Sequence, residues 1–186
     1  MTDITFVTGN KDKVRETEEI LNISLAVAAI DLDEIQELDL EKVAKHKLQL
    51  AYNEVKKPVI IDDVSVVIHV WNTFPGPLIK WVLKASDGTP AMLLKMLGNE
   101  TKRNATATLA IGFSDGTIQK IFYGKIEGSI GYEITGDNGF GWDKVFIPKG
   151  ETRTLAQMPP SEKNQISHRR KALDQLKDFI LQYKAV

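Results

Sequence analysis

The sequence has 186 residues, of which 42% are hydrophobic and 26% charged, and we expect a single domain over residues 1–186 with its own hydrophobic core. Its 24 basic and 25 acidic residues leave a net charge of −1, which argues against bulk electrostatic binding to nucleic acid or to an anionic membrane. It contains no cysteine, no secretory signal and no apolar stretch near the roughly 20 residues that span a bilayer, so we expect a cytoplasmic protein without disulfides or thiolate metal sites.

The first third of the chain alternates predicted strands and helices. A strand over residues 4–7 is followed by a helix over 13–21, a strand over 25–30 and a helix over 40–55. The continuous apolar run 59–61 predicts a buried central strand. This alternation indicates an α/β fold with helices packed on a sheet.

The rest of the chain predicts short helices, an antiparallel strand pair and a long amphipathic helix at the end. The pair is separated by Ser114-Asp115-Gly116, a hairpin signal, and indicates an extension of the sheet or a second lobe. The expected fold is therefore mixed α/β, with two lobes around a central cleft. In chain order we expect strands over 65–70, 105–113, 117–123 and 145–147, and helices over 78–83, 91–97 and 166–183.

The turn Thr8-Gly9-Asn10 lies between the end of a predicted strand and the start of a predicted helix. Free backbone N–H groups and the positive end of the helix dipole meet at such a turn, which favours bound phosphate. Lys13, in the first turn of that helix, would add a mobile positive charge. The alternative is an ordinary strand–helix turn in which Asn10 is the N-cap.

Asp62 and Asp63 follow the apolar run 59–61, and ligands of open α/β sheets bind outside the carboxyl ends of strands. Because strand alternation sends the two carboxylates to opposite sides, we expect only one of them to face a given ligand. Mg²⁺ suits such a site, since a few carboxylates and phosphate oxygens hold it. The alternative is a charged turn between strands. Glu34 and Gln36 lie in an acidic segment, where most side chains are only solvated.

Two aromatic residues flank a glycine in Phe140-Gly141-Trp142, and Asp143 follows them. The two rings could hold a flat base between them, because the glycine permits close approach of the backbone. The alternative, and the commoner fate of buried aromatics, is that both rings belong to the core.

Polar and basic residues precede and open the last predicted helix, where positive charge opposes the helix dipole. Such a placement indicates that these residues interact with another group, such as an anionic or carbonyl-bearing ligand. No Walker loop, no Gly-x-Gly-x-x-Gly turn and no Gly-x-Ser-x-Gly elbow occurs in the sequence. The polar and basic residues that precede and open the last predicted helix are Lys163, Ser167, His168 and Arg169.

The ordered set of these motifs resembles the inosine triphosphatase family of nucleoside-triphosphate pyrophosphatases. The run 75–81 and the tryptophan at position 142 are more similar to the eukaryotic type of the family than to the usual bacterial one. The set comprises Thr8-Gly9-Asn10 with Lys13, Glu34-Ile35-Gln36, Asp62-Asp63, Phe74-Pro75-Gly76, Phe140-Gly141-Trp142-Asp143, and Glu162-Lys163-Asn164 with Ser167-His168-Arg169.

The resemblance implies a two-lobed mixed α/β fold with a long central sheet, a central cleft and a homodimer. It also implies hydrolysis of deaminated purine nucleotides (ITP, dITP and XTP) to the monophosphate and pyrophosphate with Mg²⁺, which keeps these nucleotides out of DNA and RNA. Two alternatives stay open at this point: a pyrophosphatase for other modified nucleotides, and a nucleotide-binding sensor without turnover.

The resemblance also implies roles for individual residues. Phosphates would be held by Thr8, Asn10, Lys13 and Lys80. Mg²⁺ would be bound by Glu34 and Asp63, with Asp63 acting on the attacking water and Asp62 supporting it. The base would be sandwiched by Phe140 and Trp142 in a pocket lined by Asp143, Lys163, Ser167, His168 and Arg169. One departure is Val64, where the family usually has a small hydroxyl residue, and it indicates altered hydrogen bonding beside Asp63.

Overall fold

A computed structural model describes residues 4–183 and contains one seven-stranded mixed sheet with helices on both faces. The strands are β1 (Thr5–Val7), β2 (Ala26–Ala28), β3 (Val59–Ile68), β4 (Pro75–Gly76), β5 (Asn104–Ser114), β6 (Gln119–Ile130) and β7 (Phe146–Pro148). The helices are α1 (Lys11–Leu21), α2 (Leu40–Val55), α3 (Ile79–Lys84), α4 (Ala91–Leu97), α5 (Pro160–Ile166) and α6 (His168–Tyr183), with 3₁₀ turns at His69–Trp71, Gly141–Lys144 and Leu155–Gln157.

The sheet has a parallel part and a longer antiparallel part. Its strand order is β2-β1-β3-β5-β6-β7, with β4 paired to β3. The strands β2, β1 and β3 run parallel, whereas β5, β6 and β7 continue the sheet antiparallel. The predicted mixed α/β fold with a long central sheet and flanking helices is therefore confirmed.

Buried apolar residues cover both faces of the parallel part and one end of the antiparallel part. Helix α6 packs on one face and α2 on the other, while α3 and α4 contribute to a further cluster at the far end of β3 and β5. A cleft runs beside β3 between the α2 side and the α3 side, as predicted. Among residues 4–183, none of the helices combines the length and the hydrophobicity that a bilayer-spanning segment requires.

The strand β3 is longer than the sequence predicted. We expected it to end at residue 61, before a separate strand over 65–70, but one strand runs from Val59 to Ile68 and pairs with β5 along its whole length. Asp62 and Asp63 therefore lie within a strand. Its parallel ladder with β1 involves only Val59 and Ile60, so the two carboxylates still follow the carboxyl end of the parallel part.

The last predicted helix is interrupted. Ile166 ends α5, Ser167 is extended with φ −64° and ψ 155°, and α6 begins at His168. The Oγ of Ser167 accepts a hydrogen bond from the backbone N–H of Arg170 at 3.1 Å, so Ser167 caps the new helix instead of continuing the old one. The predicted apolar face is otherwise confirmed, since Ala172, Leu173, Leu176 and Ile180 are buried.

The predicted hairpin is confirmed and its strands are longer than expected. The Asp115 carboxylate accepts hydrogen bonds from the backbone N–H groups of Thr117 and Ile118 at 2.8 and 2.7 Å, and Gly116 has φ +93°. Since β6 extends to Ile130 and pairs with β7, the hairpin forms the middle of the sheet and not an appended unit.

Candidate active site

A cavity of about 610 Å³ opens beside β3 and collects many of the predicted residues. Its walls are the turn after β1, the segment 29–35, one side of α2, helix α3 and the segment 140–142. The predicted residues that line it are Thr8, Asn10, Lys13, Glu34, Asp63, Lys80, Phe140 and Trp142. Asp62, Asp143, Lys163, Ser167, His168 and Arg169 are buried outside this lining.

The turn after β1 holds its shape through its own side chains. Asn10 Oδ1 accepts hydrogen bonds from the backbone N–H groups of Asp12 at 2.9 Å and Lys13 at 3.3 Å, so Asn10 is the N-cap of α1. Thr8 Oγ1 accepts from Asn10 N at 3.2 Å. A Cβ at Gly9 would meet nothing within 4 Å, so the space above the turn is open. The capping interpretation is thus confirmed, and the capped turn also faces the cavity.

Asp62 is a buried anion held between two cations. Its Oδ1 accepts from Lys13 Nζ at 2.7 Å, and its Oδ2 accepts from the Arg169 guanidinium at 2.5 Å. Burial alone would raise the pKa of Asp62, but Lys13 and Arg169 hold that pKa well below its usual range. Asp62 therefore stays ionised and fixes the direction of Lys13, the cation at the start of α1.

Asp63 points to the opposite side of β3, as strand alternation predicts. Its Oδ1 accepts from Lys47 Nζ at 2.9 Å, whereas its Oδ2 is buried without a hydrogen-bond partner. Burial raises the pKa of Asp63 more than Lys47 and Lys13 lower it. A carboxylate with a raised pKa and a free oxygen is suited to accept a proton. Val64, the next residue, lines the cavity with no hydroxyl to offer.

The carboxylate of Glu34 contacts the same cation as that of Asp63, the ammonium group of Lys47. Lys47 Nζ lies 3.5 Å from Glu34 Oε1, and Lys80 Nζ donates to both carboxylate oxygens of Glu34 at 2.8 and 2.9 Å. Burial raises the pKa of Glu34, but the two lysines outweigh it and lower that pKa. The carboxylates of Glu34 and Asp63 therefore converge on one cationic position, which Lys47 fills.

This pair of carboxylates fits Mg²⁺ when substrate supplies further oxygens. Within residues 4–183 no group of three or more histidine, cysteine, aspartate or glutamate side chains could hold a metal unaided. Mg²⁺ is commonly bound by one or two carboxylates together with substrate phosphates and water. The unpartnered Oδ2 of Asp63 is an oxygen available for such a role.

Behind the cavity, charged side chains form a buried network. Lys163 donates to Glu16 and, at 2.6 Å, to Asp143, while Arg169 Nε donates to Glu16 Oε2 at 3.0 Å. Burial and the charge of Glu16 raise the pKa of Asp143 against the opposing effect of Lys163. The network joins the anions Glu16, Asp62 and Asp143 to the cations Lys13, Lys163 and Arg169.

Lys163 on α5 and Arg169 in the first turn of α6 thus have anionic partners inside the protein. We expected these residues to bind a ligand. In the structure Arg169 instead pairs with Glu16 and Asp62, and these buried anions also compensate the positive end of the helix dipole. Sequence reasoning missed Glu16. The signal available was its position three residues after Lys13 on α1, which puts both side chains on neighbouring parts of one helical face.

Lys47 was also missed, although the sequence carried a signal for it. It lies on α2 between Ala44, Leu48 and Ala51, residues of the buried face. A lysine inside the apolar stripe of a helix needs a buried or partly buried anion, and Asp63 supplies it.

Phe140 and Trp142 occupy different environments. Phe140 is half-buried, and Lys163 Nζ lies 5.1 Å from the centre of its ring. Trp142 is only 6% exposed and packs on His168 and Phe146 with ring centres 5.1 and 5.3 Å apart. Trp142 is therefore mainly a core residue, as the alternative predicted, although part of it borders the cavity.

His168 is a buried neutral imidazole. Its Nδ1 is buried without a hydrogen-bond partner, and burial together with the charges of Arg169 and Lys163 holds its pKa well below the usual value. Its ring packs against Trp142, which borders the cavity, at an interplanar angle of 46°.

The sequence profile of the Ham1 family matches residues 4–179. The chain belongs to the Ham1 family. Its relatives include a dITP/XTP pyrophosphatase of Saccharolobus solfataricus, 38% identical over 97% of this chain and 94% of the relative. They also include an inosine triphosphate pyrophosphatase of Candida albicans, 35% identical over 97% of this chain and 99% of the relative.

Solved Ham1 structures share the fold over nearly all of the chain, as one bacterial example shows. A HAM1 protein from Coxiella burnetii superposes with a TM-score of 0.83 at 28% identity, covering 98% of this chain and 100% of the other. The resemblance drawn from the motifs is confirmed by these matches. The archaeal and fungal relatives are 38% and 35% identical to this chain, and the bacterial structure is 28% identical.

Proposed function

We propose that this chain hydrolyses deaminated purine nucleoside triphosphates (ITP, dITP and XTP) to the monophosphate and pyrophosphate, and so keeps them out of DNA and RNA. The observation that carries the proposal is the convergence of Glu34, Asp63 and Lys47 in a cavity bordered by Phe140. Membership of the Ham1 family supports it, since relatives of nearly the same length carry the names of such pyrophosphatases.

In this proposal Glu34 and Asp63 hold Mg²⁺, which supplies positive charge to the phosphate oxygens when bound. The unpartnered Asp63 Oδ2 supports the assignment. Binding of the metal together with the phosphates would free Lys47 and Lys80 from these carboxylates, and their ammonium groups would turn to the anionic substrate. The protein then exchanges internal ion pairs for pairs with the ligand.

The phosphate chain would lie over the turn Thr8-Gly9-Asn10. Lys13, which Asp62 directs, together with Lys47 and Lys80 would neutralise the charge that develops on the departing pyrophosphate. Asp63 would orient the attacking water and take its proton, a role that suits a carboxylate whose pKa is raised by burial. Asp62, paired with two cations, would stay ionised and support this arrangement without exchanging protons.

The base would lie against Phe140 and the exposed part of Trp142, with the buried network behind it. Arg169 lies outside the lining of the cavity, with Nε and one terminal nitrogen bound to Glu16 and Asp62, so nucleotide binding would have to bring its remaining donor to the purine 6-position. There it would pair with the keto oxygen of hypoxanthine or xanthine and leave the amino group of adenine unpaired. A site built on such a hydrogen bond rejects the wrong group strongly. Asp143, Lys163, Ser167 and His168 are buried behind the lining of the cavity, and they would border this pocket only after the nucleotide has displaced part of its wall.

The place of bond cleavage is the sharpest test of the reaction. Hydrolysis of ITP in water enriched with ¹⁸O should put the label in IMP and none in pyrophosphate, because attack occurs at the α-phosphorus. Label in the pyrophosphate, or orthophosphate as the first product, would contradict the proposal. Absence of turnover with retained ITP binding would favour the sensor, and turnover of methylated pyrimidine nucleotides in place of ITP would favour the other alternative.

The assembly and the cellular location are proposals of the same kind. We propose a homodimer, on the strength of the family resemblance, and a cytoplasmic enzyme that binds neither nucleic acid nor membrane. Multi-angle light scattering of the purified chain tests the first, with a mass near twice 20.8 kDa expected. A mass of one chain at micromolar concentration would contradict it.

A further inference from the structure

One wall of the cavity, helix α3, presents an aromatic ring and two ammonium groups. Trp81 borders the cavity and is 52% exposed. Lys80 Nζ lies 5.6 Å from the centre of its ring and Lys84 Nζ lies 4.5 Å from it. The two lysines are four residues apart, so they lie on the same face of the helix.

The two lysines differ in their partners. Lys80 is paired with Glu34 at 2.8 Å, and the other lysines of the cavity wall, Lys13 and Lys47, also pair with carboxylates. Among the residues that the structure describes, Lys84 pairs with no carboxylate, although it lines the same cavity. Lys84 is therefore a solvent-exposed cation of this wall that has no ion-pair partner among the described residues.

The sequence of α3 makes this arrangement unfavourable by itself. The helix contains two lysines and no acidic residue, and like charges four residues apart repel each other. An ammonium group over an indole face is attracted to it, which fixes the position of Lys84 without neutralising its charge. A cation that is fixed and uncompensated at a cavity wall is suited to bind an anion.

We propose that Lys84, held over Trp81, is an additional phosphate-binding residue of this site and binds the pyrophosphate part of the nucleotide. The ligand is identified by its charge: Lys84 lies one turn from Lys80 and lines the same cavity as the predicted phosphate turn. Trp81 is a positioning residue that acts through Lys84. The identity of the nucleotide in this proposal rests on the proposed function. The binding of an anion by Lys84 does not depend on it.

The test compares Lys84→Met with Lys95→Met, which removes the same charge from an exposed position on α4 outside the cavity. Titration calorimetry with inorganic pyrophosphate and Mg²⁺ should show binding weakened about tenfold in Lys84→Met, the loss expected for one charge-assisted contact. The salt dependence of binding should become shallower in the same variant. Lys95→Met should match the unaltered protein in both respects.

Equal affinity in the two variants, or no binding of pyrophosphate by the unaltered protein, would overturn the proposal. Steady-state kinetics with ITP give the second readout: KM should rise by a larger factor than kcat falls, since most of the charge that Lys84 contacts is already on the bound substrate and only part of it develops on the departing pyrophosphate. A change in the preference for ITP over ATP would place Lys84 at the base and also overturn it.

Trp81 is tested by a double-mutant cycle on pyrophosphate affinity. Trp81→Leu should weaken binding in the unaltered background and have little further effect beside Lys84→Met, because its action passes through that lysine. Equal effects in both backgrounds would show that Trp81 does not position Lys84. If the protein binds pyrophosphate through Lys84 but does not hydrolyse ITP, the Lys84 contact stands and the proposed function fails. Failure of this proposal can therefore be told apart from failure of the proposed function.

Discussion

Lys47 Nζ lies 2.9 Å from Asp63 Oδ1, and this contact joins α2 to the middle of β3 at the wall of the cavity. The same ammonium group reaches Glu34 at 3.5 Å. Asp63 is buried and its pKa is raised, although Lys47 works in the opposite direction. The proton affinity of Asp63 therefore depends on a lysine that comes from a different element.

Lys47→Met should move the acid limb of the pH–rate profile to higher pH. Loss of the cation raises the pKa of Asp63 further, and because the active form is the ionised carboxylate, activity is lost at a higher pH as the solution is acidified. We expect a shift of about one pH unit in kcat/KM for ITP. Lys45→Met, which removes a lysine from the exposed side of α2, is the matched control. An unshifted limb would mean that Asp63 is not the titrating group.

Asp63→Asn should remove turnover and keep the fold. The amide has nearly the shape of the carboxylate but accepts no proton and binds Mg²⁺ poorly, so kcat should fall by about a hundredfold or more. Circular dichroism should be unchanged. The control is Asp33→Asn, an exposed acid in the same segment as Glu34, and it should retain activity. Near-normal turnover in Asp63→Asn would remove this residue from the mechanism.

Arg169→Ala should lower both the free energy of unfolding and the preference for ITP over ATP. It leaves the buried anions Glu16 and Asp62 each without one partner, and breaking a buried ion pair from one side costs about 3–5 kcal/mol. Urea unfolding measures that loss. At a temperature where the variant is folded, its preference for ITP over ATP should fall more than its affinity for pyrophosphate. An unchanged preference would contradict our account of base recognition.

Gly124→Ala should disturb the start of α6 from the neighbouring strand. A Cβ at Gly124 would lie 1.8 Å from the backbone oxygen of His168, so the first turn of α6, which carries Arg169, has to move. The control Gly112→Ala, also on the sheet, would meet only the side chains of Leu48 and Ile61 at 3.1 and 3.2 Å. Gly124→Ala should lower the melting temperature and the activity more than Gly112→Ala, and equal effects would contradict this close approach.

The local signals of the sequence predicted the turns and every helix except α5 (Pro160–Ile166), for which no helix was expected. Helix α2 has the predicted bounds because its apolar spacing is regular and Asp39 caps it, accepting from Glu41 N at 2.9 Å. The turn at Asn10 and the hairpin at Gly116 likewise follow from residues that are adjacent in the chain.

The errors arose where distant segments decide the structure. Two adjacent aspartates predict the end of a strand, but β5 pairs with β3 on both sides of Asp62, and cations from α1, α2 and α6 neutralise the two carboxylates. The sequence does not predict which acidic residue pairs with which basic residue, because partners such as Glu16 and Lys163 are 147 positions apart. Periodicity identified the helical faces but not the partners across the core.

The central claim is that this cavity hydrolyses ITP, whose base carries a 6-keto group, in preference to ATP, whose base carries a 6-amino group. The most direct test measures pyrophosphate release from ITP and from ATP in parallel, first with Mg²⁺ and then with a chelator. We predict a kcat/KM for ITP about a hundredfold or more above that for ATP, and loss of both activities with the chelator. Equal rates with the two nucleotides, or no release from ITP by the folded protein, would contradict the account.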